Sequence, residues 1–221
     1  MENELIFSIG PVVITASVIT TWGIMLAITV IAWLSTRRLD MLPGTLQTTV
    51  EGIVATIDEA ISAVVPEHGR QILPFIASLW LFLIIANLVS LIPGLHSPTR
   101  DLSVTSALAI LVFFSVHWFG IKNQGLKNYL HHYLSPSPFF LPFHIISEFT
   151  RTLTLAIRLF GNMMSLEMAA MLVLLVAGLF APIPILMLHI IEALVQAYIF
   201  GMLALVYLAG AIQSQHLNPQ E

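Results

Sequence analysis

The sequence contains no cysteine and very little charge. Without cysteine, the chain cannot form disulfides, use a thiolate in catalysis or bind metal through a cysteine thiolate. Only 9% of the 221 residues are charged, and the net charge of −4 is too small to indicate a nucleic-acid partner. The sequence also lacks a GxxxxGK[ST] phosphate-binding loop. We therefore expect no catalytic site, no cofactor and no metal in this chain.

Apolar residues dominate instead. They make up 57% of the chain, and the mean hydropathy is +0.92, a composition typical of a membrane protein. Five stretches reach the roughly 20 residues that a membrane-crossing helix needs. They predict an all-α polytopic membrane protein with a single membrane domain over 1–221. The predicted spans are approximately 12–35, 72–92, 103–121, 142–180 and 184–212.

The basic residues predict the orientation of these spans. If the N-terminus is outside, six of the eight basic residues fall in cytoplasmic loops or at a cytoplasmic helix start. Only Arg100 then lies outside, and Arg158 lies within a span. Cytoplasmic loops are normally richer in lysine and arginine, so we expect the N-terminus outside and the C-terminus in the cytoplasm. The six cytoplasmic residues are Arg37, Arg38, Arg70, Lys122, Lys127 and Arg151.

The first cytoplasmic loop carries an amphipathic pattern over approximately 45–65. Apolar residues recur there at three- and four-residue spacing, which predicts a surface helix. Its polar face is acidic, whereas helices that bind anionic lipid usually present basic residues. We therefore expect this helix to pack on the chain's own hairpin or on a partner subunit. The apolar residues are Leu46, Val50, Ile53, Ile57, Ile61 and Val64, and the acidic ones are Glu51, Asp58 and Glu59.

Arg158 lies in the fourth predicted span, where a charge is costly. An arginine near the centre of a span costs at least roughly 2.5–3.5 kcal/mol and keeps its charge when desolvated. At 100° per residue it shares one helix face with small and polar residues. Such a stripe could pack tightly on another helix of this chain with a snorkelling arginine, or it could meet a carboxylate on another protein. The stripe consists of Arg151, Thr154, Arg158, Gly161, Asn162, Ser165 and Ala169.

A second group of polar residues lies in the last span. His189, Glu192 and Gln196 share one face at i, i+3 and i+7 spacing. An antiparallel hairpin of the last two spans would bring Glu167 to a depth between His189 and Gln196. Acids and an imidazole at one depth predict a proton or cation path. Each residue could instead be an interhelical hydrogen-bonding group, with Glu192 as a structural partner of His189.

The segments "RLFGNMMSLEM" and "HIIEALVQAYIFGMLALVYL" resemble the a subunit of F-type ATP synthases. The resemblance extends over the whole chain and includes "PTRDLSVTSALA" at the middle hairpin. It implies a stator ion-channel subunit of a rotary ATP synthase, with two long, tilted C-terminal helices. The short N-terminus and brief cytoplasmic segments are similar to an alternative, N-type branch that is sometimes associated with sodium. Whether the coupling ion is H+ or Na+ stays open.

The resemblance also assigns roles to individual residues. Arg158 matches the arginine that faces the rotating c-ring, and Thr154 matches a threonine or serine that precedes it. Polar residues that line or adjoin two aqueous half-channels match Asn162, Glu167, His189 and Gln196, and Glu192 is included with them as a neighbouring acid. The implied partners are the c-ring, b-type peripheral stalk subunits and the lipid bilayer, and the implied location is the bacterial plasma (inner) membrane.

Two other classes remain possible on the sequence alone. A secondary transporter or ion channel would also keep charged residues inside the membrane, although five spans without an inverted repeat argue against it. A haem-binding electron carrier would need paired axial histidines. His117 and His131 are fourteen residues apart, and the second falls outside the predicted span.

Overall fold

The computed structural model describes residues 5–9, 12–37, 44–66, 69–92, 97–125, 129, 139, 141–178, 181 and 183–213. The chain begins with an antiparallel hairpin of β1, Leu5–Ile9, and β2, Val12–Thr15. The first helix starts at Ala16, four residues after the predicted start at 12. All four residues of β2 are β-branched, which favours extended backbone over helix.

The other described elements are helical. Five helices are long and apolar enough to cross a membrane, which confirms the predicted all-α polytopic fold class. They are α1, Ala16–Thr36; α3, Gly69–Leu88; α4, Leu102–Gln124; α5, Leu141–Ala177; and α6, Ile183–Gln213.

The last two of these helices are the longest. With 37 and 31 residues, α5 and α6 have lengths of about 56 and 46 Å at 1.5 Å per residue. Both exceed the roughly 30 Å hydrocarbon core of a bilayer, so each must tilt, bend or project from it. In the most apolar stretch of α6, 50% of the residues are buried, against 6% in that of α1. Of these two helices, α6 therefore lies at the centre and α1 at the periphery.

The predicted amphipathic helix is α2, Thr45–Val64. Ile57 and Ile61 are buried, whereas Glu51 and Glu59 are exposed. The helix packs mainly on α3, with smaller contacts to α1 and α6. The chain's own helices therefore cover its apolar face, although Ile53 stays exposed.

Small residues let α3 and α6 approach closely. The Trp80 side chain of α3 crosses over Gly201 of α6, where an added Cβ would lie 1.8 Å from Trp80 Nε1. The indole stacks on the Tyr198 ring at 6.1 Å between centroids, and its N–H donates to the Tyr198 carbonyl at 3.4 Å. This contact fixes the side of α6 that faces the core.

Short-range structure shapes both ends of the connection between α3 and α4. Two 3-10 turns, Val89–Leu91 and Pro98–Arg100, lie on either side of it. The Asp101 carboxylate then accepts a 3.0 Å hydrogen bond from the Ser103 backbone N–H and so caps α4. The turn Pro98–Arg100 contacts α3, α4 and α5. It therefore packs against the helix that carries Arg158 and Glu167.

Candidate functional site

A polar contact joins α5 and α6 within their otherwise apolar interface. Asn162 Nδ2 donates a 2.7 Å hydrogen bond to Gln196 Oε1. Gln196 is only 2% exposed, and its Nε2 has no hydrogen-bond partner among the residues that the structure describes. Asn162 is one helical turn from Arg158 along α5. The structure thus brings together two of the predicted site residues beside a third.

His189 lies near the start of α6 and is buried. Its Nε2 lies 2.7 Å from the Ser90 hydroxyl at the end of the α3 segment. The same hydroxyl lies 3.1 Å from the Asn87 carbonyl oxygen. The imidazole is therefore held by the α3–α4 connection, and its hydrogen-bonding partner is a serine that the sequence pattern did not single out.

Glu167 of α5 forms an ion pair with Arg100, the last residue of the turn Pro98–Arg100. The side chain of Glu167 is 16% exposed and that of Arg100 is 36% exposed. Sequence reasoning placed Glu167 in the site but left Arg100 outside it. The available signal was that Arg100 is the only basic residue predicted on the outer side.

Arg158 has a different environment from the other polar residues. It is exposed, and across the described parts of the chain its guanidinium has no hydrogen-bond or ion-pair partner. Thr154, Gly161 and Ser165 are exposed on the same face of α5. In the part of the chain that the structure describes, a Cβ added at Gly161 would meet no atom of a neighbouring element within 4 Å. This face, made of Thr154, Arg158, Gly161 and Ser165, is called the open face of α5 below.

The predicted polar stripe of α5 is divided in the structure. Its members Arg151 and Asn162 are half-buried at the edge of the open face and make contacts inside the chain. The Arg151 guanidinium carbon lies 3.7 Å from the centroid of the Tyr207 ring, and the guanidinium pairs with Glu148 at 3.1 Å. Cation–π contact and ion pairing thus satisfy Arg151 locally. Of the two arginines in the stripe, only Arg158 remains unpaired within the described residues.

Sequence comparison identifies the family to which these features belong. The model of the family "ATP synthase A chain" matches residues 18–209. The chain belongs to this family.

Relatives support the assignment over nearly the full chain. The chain is 67% identical to ATP synthase subunit a 2 of Pelobacter propionicus over 96% of this chain and 93% of that protein. It is 63% identical to ATP synthase subunit a 1 of Hahella chejuensis over 96% and 90%, and 56% identical to ATP synthase subunit a of Legionella pneumophila over 97% and 94%. The predicted identity, a membrane-sector stator subunit of an F-type ATP synthase, is confirmed.

Two further features of this ATP synthase A chain protein adjoin the site. Glu192 is half-buried and has no hydrogen-bond or ion-pair partner in the parts of the chain that the structure covers, so it is not the partner of His189. A buried polar cluster lies next to it in the core. The Asn87 amide donates to the Ala193 carbonyl at 3.1 Å and accepts from the Thr99 hydroxyl at 2.8 Å. The cluster links the turn Pro98–Arg100 to α3 and α6.

Proposed function

We propose that this chain provides the stator side of the ion path: two half-channels, and an arginine, Arg158, that faces the carboxylates of the c-ring. Flow of H+ or Na+ through the path would then be coupled to rotation of the ring. The observation that carries the proposal is the unpaired, exposed guanidinium of Arg158 on the open face of α5.

The charge of Arg158 is costly inside a membrane. A permanently charged side chain facing hydrocarbon costs at least roughly 2.5–3.5 kcal/mol, and within the described residues no acid of this chain pairs with it. A carboxylate on a neighbouring subunit would offset the cost. The residues around Arg158 support close approach of that subunit, because Gly161 and Ser165 are small and Thr154 is compact.

The mechanism follows from charge. An ion that binds a c-ring carboxylate neutralises it, and the neutral carboxyl group can then pass through lipid at much lower cost. When that group reaches Arg158, the fixed positive charge favours the ionised carboxylate, so the ion is released into the second half-channel. The same positive charge repels a cation that would pass directly between the half-channels. Each elementary charge moved supplies about 2.3 kcal/mol per 100 mV.

The other site residues support a path at one end of α5 and α6. Glu167 and His189 lie toward the α3–α4 end, and Asn162 and Gln196 lie deeper, one turn from Arg158. Asn162 and Glu167 are five residues apart, about 7.5 Å along α5. Glu192, unpaired and half-buried, lies between the two levels on α6. We assign these five residues to the half-channel that opens outside.

Orientation and partners complete the proposal. With the N-terminus outside, the α3–α4 connection faces the outside of the bacterial inner membrane and α2 faces the cytoplasm. The c-ring then contacts the open face of α5, and b-type stalk subunits bind elsewhere on the surface.

The test is Arg158→Ala in the assembled ATP synthase, with Arg70→Ala as a matched control because Arg70 is an exposed arginine at the start of α3. We expect Arg158→Ala to assemble and to abolish ATP-driven ion pumping by inverted vesicles, while passive ion leak persists after the soluble head is removed. Arg158→Lys should rescue only in part, since an ammonium group is a point charge that can lose its proton when desolvated. Wild-type pumping by Arg158→Ala would overturn the proposal.

A further inference from the structure

We propose that Arg100 is a positioning residue of the ion path. Its guanidinium holds the Glu167 carboxylate against the turn Pro98–Arg100, and ions enter the path by competing with it for that carboxylate. The inference rests on the proposed function, because it assumes that Glu167 lies in the outer half-channel.

Arg100 is held firmly by the segment that precedes it. Ser97 and Thr99, on either side of Pro98, are buried, and their side chains bond to α3. Ser97 Oγ donates to the Ala86 carbonyl at 2.7 Å, and Thr99 Oγ1 donates to Asn87 Oδ1 at 2.8 Å. Asn87 in turn donates to the Ala193 carbonyl of α6. Because side chains of this segment bond to α3, and α3 bonds in turn to α6, the Arg100 side chain projects from a fixed base toward α5.

Arg100 and Glu167 carry opposite charges. Glu167 is largely buried in a helix that crosses the membrane, where an ionised carboxylate needs a compensating charge. Arg100 supplies that charge from a position 67 residues away in the sequence. Its planar fork can hold a carboxylate in a fixed orientation better than an ammonium group can.

The ion pair of Arg100 and Glu167 can be reached from solvent. The Arg100 side chain is 36% exposed, so the pair lies at the boundary between solvent and the helix interface. A cation that arrives from that side can bind Glu167 only as the guanidinium moves away. When the ion pair forms again, the guanidinium replaces the cation, which is then free to move deeper or to return. Arg100 thereby keeps Glu167 from retaining a cation permanently.

The same connection also holds the other polar residue at this end of the hairpin, since Ser90 bonds His189. The α3–α4 connection therefore positions one side chain of α5 and one of α6. This arrangement places the control of outer access on a segment that lies outside the two long helices.

The experiment uses whole ATP synthase in inverted vesicles, with pumping normalised to the amount of assembled a subunit. The variants are Arg100→Gln, Arg100→Lys, Glu167→Gln and the double variant Arg100→Gln/Glu167→Gln. Asp101→Asn is the matched control, because it removes a neighbouring charge while asparagine still caps α4. Passive ion flux after removal of the soluble head is measured on the same membranes.

We expect Arg100→Gln to slow pumping and passive flux by about fivefold or more, the effect of a coupling of roughly 1 kcal/mol between side chains in contact. Arg100→Lys should recover much of the loss, and Asp101→Asn should behave as wild type. In the Glu167→Gln background, Arg100→Gln should add almost no further loss, because the group on which it acts is gone.

Three results would overturn the inference: wild-type rates for Arg100→Gln, losses that multiply in the double variant, or an equal loss in Asp101→Asn. If Arg100→Gln fails to assemble, Arg100→Lys decides through the part of the loss that lysine does not recover. That remaining loss should be present beside Glu167 and absent when Arg100→Lys is combined with Glu167→Gln, and wild-type rates for Arg100→Lys alone would overturn the inference. Failure of the proposed function itself would appear separately, as wild-type pumping by Arg158→Ala. If Arg158→Ala abolishes pumping and Arg100→Gln has no effect, only the role of Arg100 is wrong.

Discussion

Asn162 donates a 2.7 Å hydrogen bond to Gln196 at the boundary between the buried α5–α6 interface and the open face of α5. The bond uses one donor of Asn162 and the acceptor of Gln196, and leaves the buried Gln196 Nε2 unpartnered in the described part of the chain. Buried amide donors are nearly always bonded. We therefore expect this N–H group to bind a water molecule of the proposed half-channel.

The bond can be measured by a double-mutant cycle with Asn162→Ala, Gln196→Ala and the double variant. Hydrogen bonds between membrane helices have coupling energies of about 0.6 kcal/mol on average and up to about 1.7 kcal/mol. We expect a coupling energy in this range in the free energy of unfolding of the purified complex, derived from its denaturation curves. Both single variants should also pump ions more slowly than wild type.

A matched control for this cycle is Asn123→Ala. Asn123 also has an amide nitrogen that is buried without a partner among the described residues, but it lies on α4. The effects of Asn123→Ala and Gln196→Ala on the free energy of unfolding should add. Simple additivity of Asn162→Ala and Gln196→Ala would show that the hydrogen bond contributes nothing.

Close packing of α3 on α6 gives a second prediction. A Cβ at Gly201 would lie 1.8 Å from Trp80 Nε1, so Gly201→Ala must displace the indole and its stacking on Tyr198. Overpacking of this kind typically costs about 1–3 kcal/mol. Thermal denaturation of the purified complex should show the loss, whereas Gly210→Ala should be neutral or slightly stabilising, because a Cβ at Gly210 meets nothing within 4 Å. Equal stability of the two variants would contradict the observed α3–α6 contact.

The sequence was sufficient to predict the helices, because apolar runs of bilayer length are a strong signal. It also singled out Arg158, Glu167 and Gln196, since a polar residue in such a run needs an explanation, and their roles in an ion path stay predictions. Arg100 was missed because its partner is 67 residues away, and spacing within one helix carries no information about such a contact. The division of the α5 stripe was missed for the same reason, since Tyr207, which covers Arg151, belongs to another helix.

Orientation in the membrane gives the third prediction, and the absence of native cysteine makes it simple to test. Single cysteines at Thr36 and Lys122 should react with an impermeant thiol reagent only from the cytoplasmic side, and one at Ile92 only from outside. All three positions are exposed, whereas the nearby Ser97 and Gln124 are buried and would label poorly from either side. Labelling of Ile92→Cys from the cytoplasm would reverse the proposed topology and would move Glu167 and His189 to the other half-channel.

The open face of α5 gives the last prediction, which tests contact with the c-ring without changing any charge. A side chain at Gly161 has free space among the described residues, since an added Cβ meets no atom of a neighbouring element there within 4 Å, so Gly161→Leu should fold and accumulate in the membrane normally. If the c-ring packs on this face, however, a leucine overfills the contact at a cost of about 1–3 kcal/mol. That range corresponds to a loss of association of roughly fivefold or more.

Gly23→Leu is the matched control, because Gly23 is equally open but lies on α1. The measurement is the ratio of c subunit to a subunit after affinity purification, beside ATP-driven pumping. We expect both to fall for Gly161→Leu and to stay unchanged for Gly23→Leu. Normal values of both for Gly161→Leu would mean that the ring packs elsewhere, and Arg158 could then not face its carboxylates.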